Sequence, residues 1–176
     1  GLAGFLASLL IGPVPTGLDD LWRLIAGSGD KDLASVVVDM RLSRALLAFF
    51  VGAGLALAGA VLQGFFQNPM ADPFVLGVSS GASFGAVLAI QLGLGASFSG
   101  FSIQSLLAFG GGFLIVAFIS ILSRRRGALK VETLLLTGIA LGALASALTS
   151  FFLFMRSDSY DQAVFWLLGS FQLAEW

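Results

Sequence analysis

Arg41 and Arg44 are the side chains in this sequence of 176 residues best suited to hold a ligand. Three positions apart, they share one face of a helix. No Asp or Glu lies three or four positions from either, so they repel each other and call for an external anion. That anion is either a lipid phosphate, with the guanidiniums snorkelling to the membrane surface, or a carboxylate on a protein partner, which the planar arginine fork suits. On these two residues alone the lipid is favoured. A second polar group interrupts an apolar stretch: Gln63, then Gln67, Asn68, Pro69 and Asp72. A third is the run GVSSGASFGA, where Gly77, Gly81 and Gly85 recur every fourth position with Ser79, Ser80 and Ser83 between them. Its glycines allow close helix packing and its hydroxyls suit the polar lining of a pathway. For any single residue of this run, packing is the commoner role.

Composition says what must position these groups. The chain is 57% hydrophobic and 11% charged, where a soluble domain carries about 25% charged residues; mean hydropathy is +0.98. A soluble core of this size could not hide that much apolar surface, which makes this an integral membrane protein. The chain has no cysteine and no histidine, so disulfides, thiol chemistry and zinc or haem ligation through those residues are excluded. A resident metal or cofactor is therefore not expected. A net charge of −1 gives no field to attract nucleic acid.

The expected fold is all-α: a polytopic transmembrane helical bundle with about four complete spans, a partial first helix and a terminal interfacial segment. Residues 1–12 are too short to cross and read as the trailing end of a membrane helix, closed by Pro13 and Pro15. Asp19 is expected to cap a short amphipathic helix with Leu18, Leu21, Trp22 and Ile25 on one face, and Asp32 to cap the next. The four spans are expected at 45–66, 74–92, 105–122 and 133–154. The first has small residues at every fourth position, Ala48, Gly52, Ala56 and Ala60, a stripe along which another helix could approach. Pro69 and Pro73 forbid a continuous helix between the first two spans. The run Gly110–Gly112 should weaken the third, and Gly138, Gly142 and Ser146 are again four apart in the fourth. The stretch 163–176 is either an interfacial helix or the start of a further span.

Loops alternate sides, which places 65–73 and 124–130 together. The dense basic block RRRGALK marks that side as cytoplasmic. The raw Lys+Arg count, four on that side against five on the other, does not support this, but the outer cations are diluted by acids.

The stretch from RLSR through GAGLALAGAVLQGFFQNPMADPFVLGVSSGA resembles the permease subunits of the FecCD family, membrane components of ABC importers for iron–siderophores, haem and cobalamin. LLLTGIALGALASALTSFFLF and VFWLLGSF fit the same family. The family pattern is Arg-Leu-Pro-Arg, a Gly-Ala-rich helix ending in Gln, Asn-Pro-Leu-Ala-x-Pro, and a Gly-Val-Ser-x-Gly-Ala helix start. The resemblance implies a multi-pass permease of the cytoplasmic (inner) membrane that dimerises with a second copy or homologue. It also implies two cytoplasmic ATPase subunits and an extracytoplasmic substrate-binding protein as partners, with membrane lipid around it. It turns the balance at Arg41 and Arg44 towards docking the binding protein. Gln63, Asn68, Pro69 and Met70 become a cytoplasmic gate, with Met70 where the family has Leu. Gly52, Ala56, Gly77, Ser80, Gly81 and Gly85 become helix packing and pathway lining. Ser43 replaces the motif's proline, which puts the local start of the helix in question.

Family members are about twice this long, so residues 1–176 correspond to the amino-terminal part of one transmembrane domain. The implied activity is import of an iron–siderophore-type chelate by ATP-driven alternating access, with cobalamin or haem as alternatives. The chain itself is not expected to be an enzyme, since it lacks a phosphate-cradling Gly-x-x-x-x-Gly-Lys-Ser/Thr loop. Two rivals of other classes stand beside this. A secondary transporter would want ionisable residues inside the spans, and the expected spans contain no acid between their ends. A scaffold subunit would be served equally well by the glycine stripes.

Overall fold

The computed structural model describes residues 2–28, 30–94, 97–98, 101–124, 131–155 and 159–171. They fall into two compact units, one within Gly1–Leu57 and Ser170–Trp176, the other within Ala58–Gly169. Three helices among the described residues are long and apolar enough to cross a membrane: Lys31–Phe66, Ile103–Leu122 and Val131–Met155.

The first unit opens with α1 (Leu2–Leu10) and α2 (Leu18–Ile25), which flank the Pro13/Pro15 segment. The N-cap of α2 is Gly17 rather than Asp19, and Asp20 supplies the carboxylate, accepting from the Gly17 N–H at 2.8 Å. This is the return half of a capping box, which a glycine N-cap leaves to the N3 residue. The short α3 (Lys31–Ala34) likewise has Asp30 as its N-cap, with Asp32 inside the first turn. Both capping residues lie two positions before those expected.

The backbone then widens to a π-helical stretch, Ser35–Leu42, before α4 (Ser43–Phe66). Ser43, buried, sits at this junction. Its N–H donates to the Met40 carbonyl, and its hydroxyl donates to the carbonyls of Asp39 and Met40. A proline could make none of these bonds, so the serine fits the wide turn that ends at the arginines.

In the second unit the expected span 74–92 divides. Pro73–Leu76 is a 3₁₀ turn, Gly77 adopts φ +72°, and only then does α5 (Val78–Gln91) begin. Its 14 residues reach about 21 Å, short of the roughly 30 Å hydrocarbon layer. A two-residue antiparallel pairing, Ser97–Phe98 (β1) with Phe101–Ser102 (β2), precedes α6 (Ile103–Arg124). α7 (Val131–Met155) and α8 (Tyr160–Leu168) follow.

α5 is the axis of this unit and packs against α6, α7 and α8. Its residues Ala86, Val87 and Ala89 are fully buried. One apolar cluster joins Ile115, Ile119, Leu134 and Ala145, with Phe66, Leu76, Phe84 and Leu141 around it. A second joins Val87 and Ile90 to Ala163, so the short α8 is seated on α5 by a buried alanine. The glycines at 110–112 do not weaken α6, which is helical throughout, and Gly111 and Gly112 lie against α5. The basic block 125–130 and residues 172–176 lie outside the described residues.

Candidate functional site: an arginine cradle, a capped loop and a hydroxyl-lined groove

In the first unit Arg41 does not wait for an external anion. Its Nη1 donates to the Leu9 carbonyl at 2.9 Å, to the Leu10 carbonyl at 3.4 Å and to the Thr16 hydroxyl, and its Nη2 donates to the Val14 carbonyl. Thr16 in turn donates to the Leu10 carbonyl at 3.0 Å, closing the ring of bonds. Gly12 lies flat against the guanidinium, and a Cβ there would come within 2.6 Å of Nη2. These acceptors are 25 to 32 residues away in sequence, beyond any reading of helical spacing. The expectation that the arginines need an external anion is therefore corrected at Arg41, whose partners lie on a distant turn and not on its own helix. Arg41 and half-buried Arg44 line one end of a cavity of about 660 Å³, whose other walls include Phe5, Ala45, Ala48, Phe49 and Gly52. Gly52 and Ala56, from the small-residue stripe of α4, are exposed, and nothing lies within 4 Å of where a Gly52 Cβ would stand.

The loop after α4 is built by its own backbone. The Gln67 N–H donates to the Gly64 carbonyl at 3.4 Å and the Asn68 N–H to the Gln63 carbonyl at 3.1 Å, with Gln67 at φ +49°. These are the two bonds of a Schellman motif, with glutamine in the left-handed position that glycine usually fills. The Asn68 side-chain oxygen then accepts from the Met70 N–H at 2.9 Å, and that of Asp72 from the Phe74 N–H at 2.8 Å. The loop thus has a set shape while Gln63, Asn68, Pro69 and Met70 stay exposed, Met70 by 84%. Gln67→Gly should relieve the left-handed strain and raise stability by about 0.5–1 kcal/mol, seen as a higher melting temperature in detergent. Asn68→Ala should cost a similar amount by opening the turn.

The glycines of α5 meet backbone rather than open space. A Cβ on Gly81 would come within 2.6 Å of the Gly111 carbonyl oxygen, and one on Gly85 would overlap the Leu107 carbonyl. Gly77 sits against α7, where a Cβ would meet the Gly138 oxygen and the Gly142 Cα, each at 2.8 Å. On the flank of this contact is a groove of about 330 Å³, lined by Ser79, Ser80, Ser83, Ser146, Thr149, Ser150, Leu153 and Leu167. Ser146 donates to Ser80 across it at 3.1 Å. Thr149 is buried and donates to the Ala145 carbonyl at 2.8 Å. Among the described residues no titratable side chain lines this groove, and those that do line it offer neutral donors and acceptors.

Sequence reasoning found the α5 serines, and Ser146 as part of a packing stripe, but not Thr149 and Ser150 beside it on α7. Ser146, Thr149 and Ser150 stand at i, i+3 and i+4, a spacing that puts three hydroxyls on one helix face and would have singled them out. Buried Gln91, at the end of α5, was also missed.

The model of the FecCD transport family matches residues 2–176. YvrB of Bacillus subtilis, an uncharacterised ABC transporter permease protein, is 38% identical over 93% of this chain and 48% of its own length. The cobalamin import permease BtuC of Halobacterium salinarum is 41% identical over 84% of this chain and 39% of its own. The molybdate import permease MolB of Haemophilus influenzae is 41% identical over 80% of this chain and 41% of its own. A solved structure described as an inward-facing conformation of a metal-chelate type ABC transporter superposes with TM-score 0.80 at 34% identity, covering 99% of this chain and 52% of that one. The chain thus spans about half the length of the proteins it matches.

Proposed function

The chain belongs to the FecCD transport family, and from that premise we propose that it forms the amino-terminal part of the permease subunit of a binding-protein-dependent ABC importer. The observation that carries this is the family match over residues 2–176, joined by three permeases of 38–41% identity. In this reading ATP hydrolysis belongs to separate cytoplasmic subunits. The permease pairs with a second permease copy in the inner membrane and receives substrate from an extracytoplasmic binding protein. Arg41 and Arg44 mark the docking side, and the Asn68–Pro69–Met70 turn is the cytoplasmic gate, its exposed methionine supplying a pliable apolar plug.

The cargo we propose is a metal chelate of the iron–siderophore type. The hydroxyl groove supports this, because neutral hydroxyls give a large polar chelate weak contacts that release it again. Cobalamin, a cobalt chelate, is the second reading, favoured by the likeness to a cobalamin import permease. Identifying the ligand that co-purifies with the binding protein by mass spectrometry decides between them. A free oxyanion such as molybdate would remove both. Transport by the full-length permease in proteoliposomes should require its ATPase and internal ATP, and uptake driven by an ion gradient alone would sink the importer reading.

A further inference from the structure

Leu18, Trp22 and Ile25 stand at i, i+4 and i+7 of α2, on one helix face. Their exposures are 73%, 72% and 78%. Asp19 and Arg23 lie away from that face, and Asp20 is engaged at the helix start with the Gly17 N–H. The helix stops cleanly at its other end. The Gly27 N–H donates to the Leu24 carbonyl and the Ser28 N–H to that of Arg23, with Gly27 at φ +74°, which is a Schellman turn. Three large apolar side chains on a helix with no buried residue call for a cover.

The height at which α2 begins points to that cover. From Ala45 to Phe66 the helix α4 carries no charge, a run of about 33 Å that fills the roughly 30 Å hydrocarbon layer. Arg41 precedes this run by about 6 Å along the helix, which is headgroup depth. Thr16 is bonded both to Arg41 and to the Leu10 carbonyl at the end of α1. Leu18 follows Thr16 within about 7 Å of chain. The start of α2 is thereby held close to the lipid headgroups.

We propose that α2 lies in the headgroup layer, with Leu18, Trp22 and Ile25 dipped towards the acyl chains, and that the lipid surface is the partner of this face. Tryptophan suits that depth, having an apolar body and one N–H for the polar side. Asp19 and Arg23 stay turned towards water. Two acids against one cation on α2 give anionic lipid no net charge to attract, so apolar burial does the holding. The proposal needs only that α4 crosses the membrane, and it stands or falls apart from the importer reading.

The test uses the full-length permease in a cysteine-free background, in nanodiscs of phosphatidylethanolamine and phosphatidylglycerol with no partner present. Nitroxide labels are placed through Leu18→Cys, Trp22→Cys and Ile25→Cys on one face, and through Asp19→Cys and Arg23→Cys on the other. Each label is then exposed to oxygen, which concentrates in lipid, and to a water-soluble nickel chelate. The ratio of oxygen to nickel accessibility should be about fivefold or more higher at the first three positions than at the last two. Adding Leu18→Asp and Trp22→Asp should lift the helix, bringing the ratio at the Ile25 label within about twofold of that at Arg23. All of these side chains are exposed or at the surface, so the packed parts of the fold are left alone. Equal ratios at all five positions would put α2 in water and overturn the proposal. Labels at Leu18, Trp22 and Ile25 shielded from both reagents would overturn it too, by giving the face to another part of the permease. Equal ratios that turn to shielding only when purified binding protein is added would give it to that protein instead.

Discussion

Gly85→Val is expected to abolish the folded permease, and Gly85→Ala to lower its melting temperature more than the same change at any other glycine of α5. The reason is what the added atom meets. A Cβ on Gly85 would stand on the Leu107 carbonyl, with the Ala108 nitrogen at 3.2 Å. Backbone held in a helical ladder cannot swing aside as the end of a side chain can. The α5–α6 interface would have to open along its length, because Gly81 and Gly111 press on each other one turn away. Overpacking a well-filled interior costs about 1–3 kcal/mol where side chains can yield, so a backbone overlap belongs at or above the top of that range. Opening the interface would also forfeit the Cα–H···O contacts that close glycine packing allows. Gly52→Ala and Gly110→Ala are the controls. A Cβ at either meets nothing within 4 Å, and alanine is the better helix former by about 1 kcal/mol, so both should be neutral or stabilising. Thermal unfolding of detergent-solubilised protein, followed by size-exclusion chromatography, reads all four. A Gly85→Val protein that elutes and melts like wild type would refute the packing argument.

The long helices were legible in the sequence because lipid demands unbroken apolar runs with every backbone bond made internally. What was not legible was set by contacts or by single dihedral angles. Phe74–Leu76 is as apolar as the helix that follows it. Hydropathy joins the two, but Asp72 accepting from the Phe74 N–H and Gly77 at φ +72° make a separate turn of it. Glycines at 110–112 read as a weak point because propensity is a local property. In the fold two of them lie against α5, and tertiary packing outweighs propensity there. Arg41 shows the same limit at the candidate site. Helical spacing tells which residues share a face but not that a turn 25 to 32 residues earlier supplies the acceptors. The small-residue stripe of α4 borders open space at Gly52, since a pattern that permits close approach does not by itself bring a neighbour.

Ser146→Leu and Ser150→Leu, singly and together, are expected to cut uptake by about tenfold or more while the protein stays folded and still docks its binding protein. Both serines are exposed on α7 and line the groove of about 330 Å³, so leucine can be accommodated without strain. Leucine is also the better helix former and is at home in lipid, so the melting temperature should hold or rise. What changes is the chemistry offered to a passing polar chelate. Neutral donors and acceptors on α7 give way to branched apolar groups, and ligand groups that must leave water there find no replacement bonds. Ser80→Ala separates lost bonding from lost space. It removes the Ser146–Ser80 bond, which spans 3.1 Å, at a cost of about 0.6 kcal/mol in membrane interiors, and leaves the groove open, so uptake should fall by no more than about threefold. Uptake is measured in proteoliposomes with the complete transporter and labelled chelate. Wild-type rates in the double leucine variant would show that cargo does not pass along α7 at these serines, and the polar face between α5 and α7 would then be packing alone.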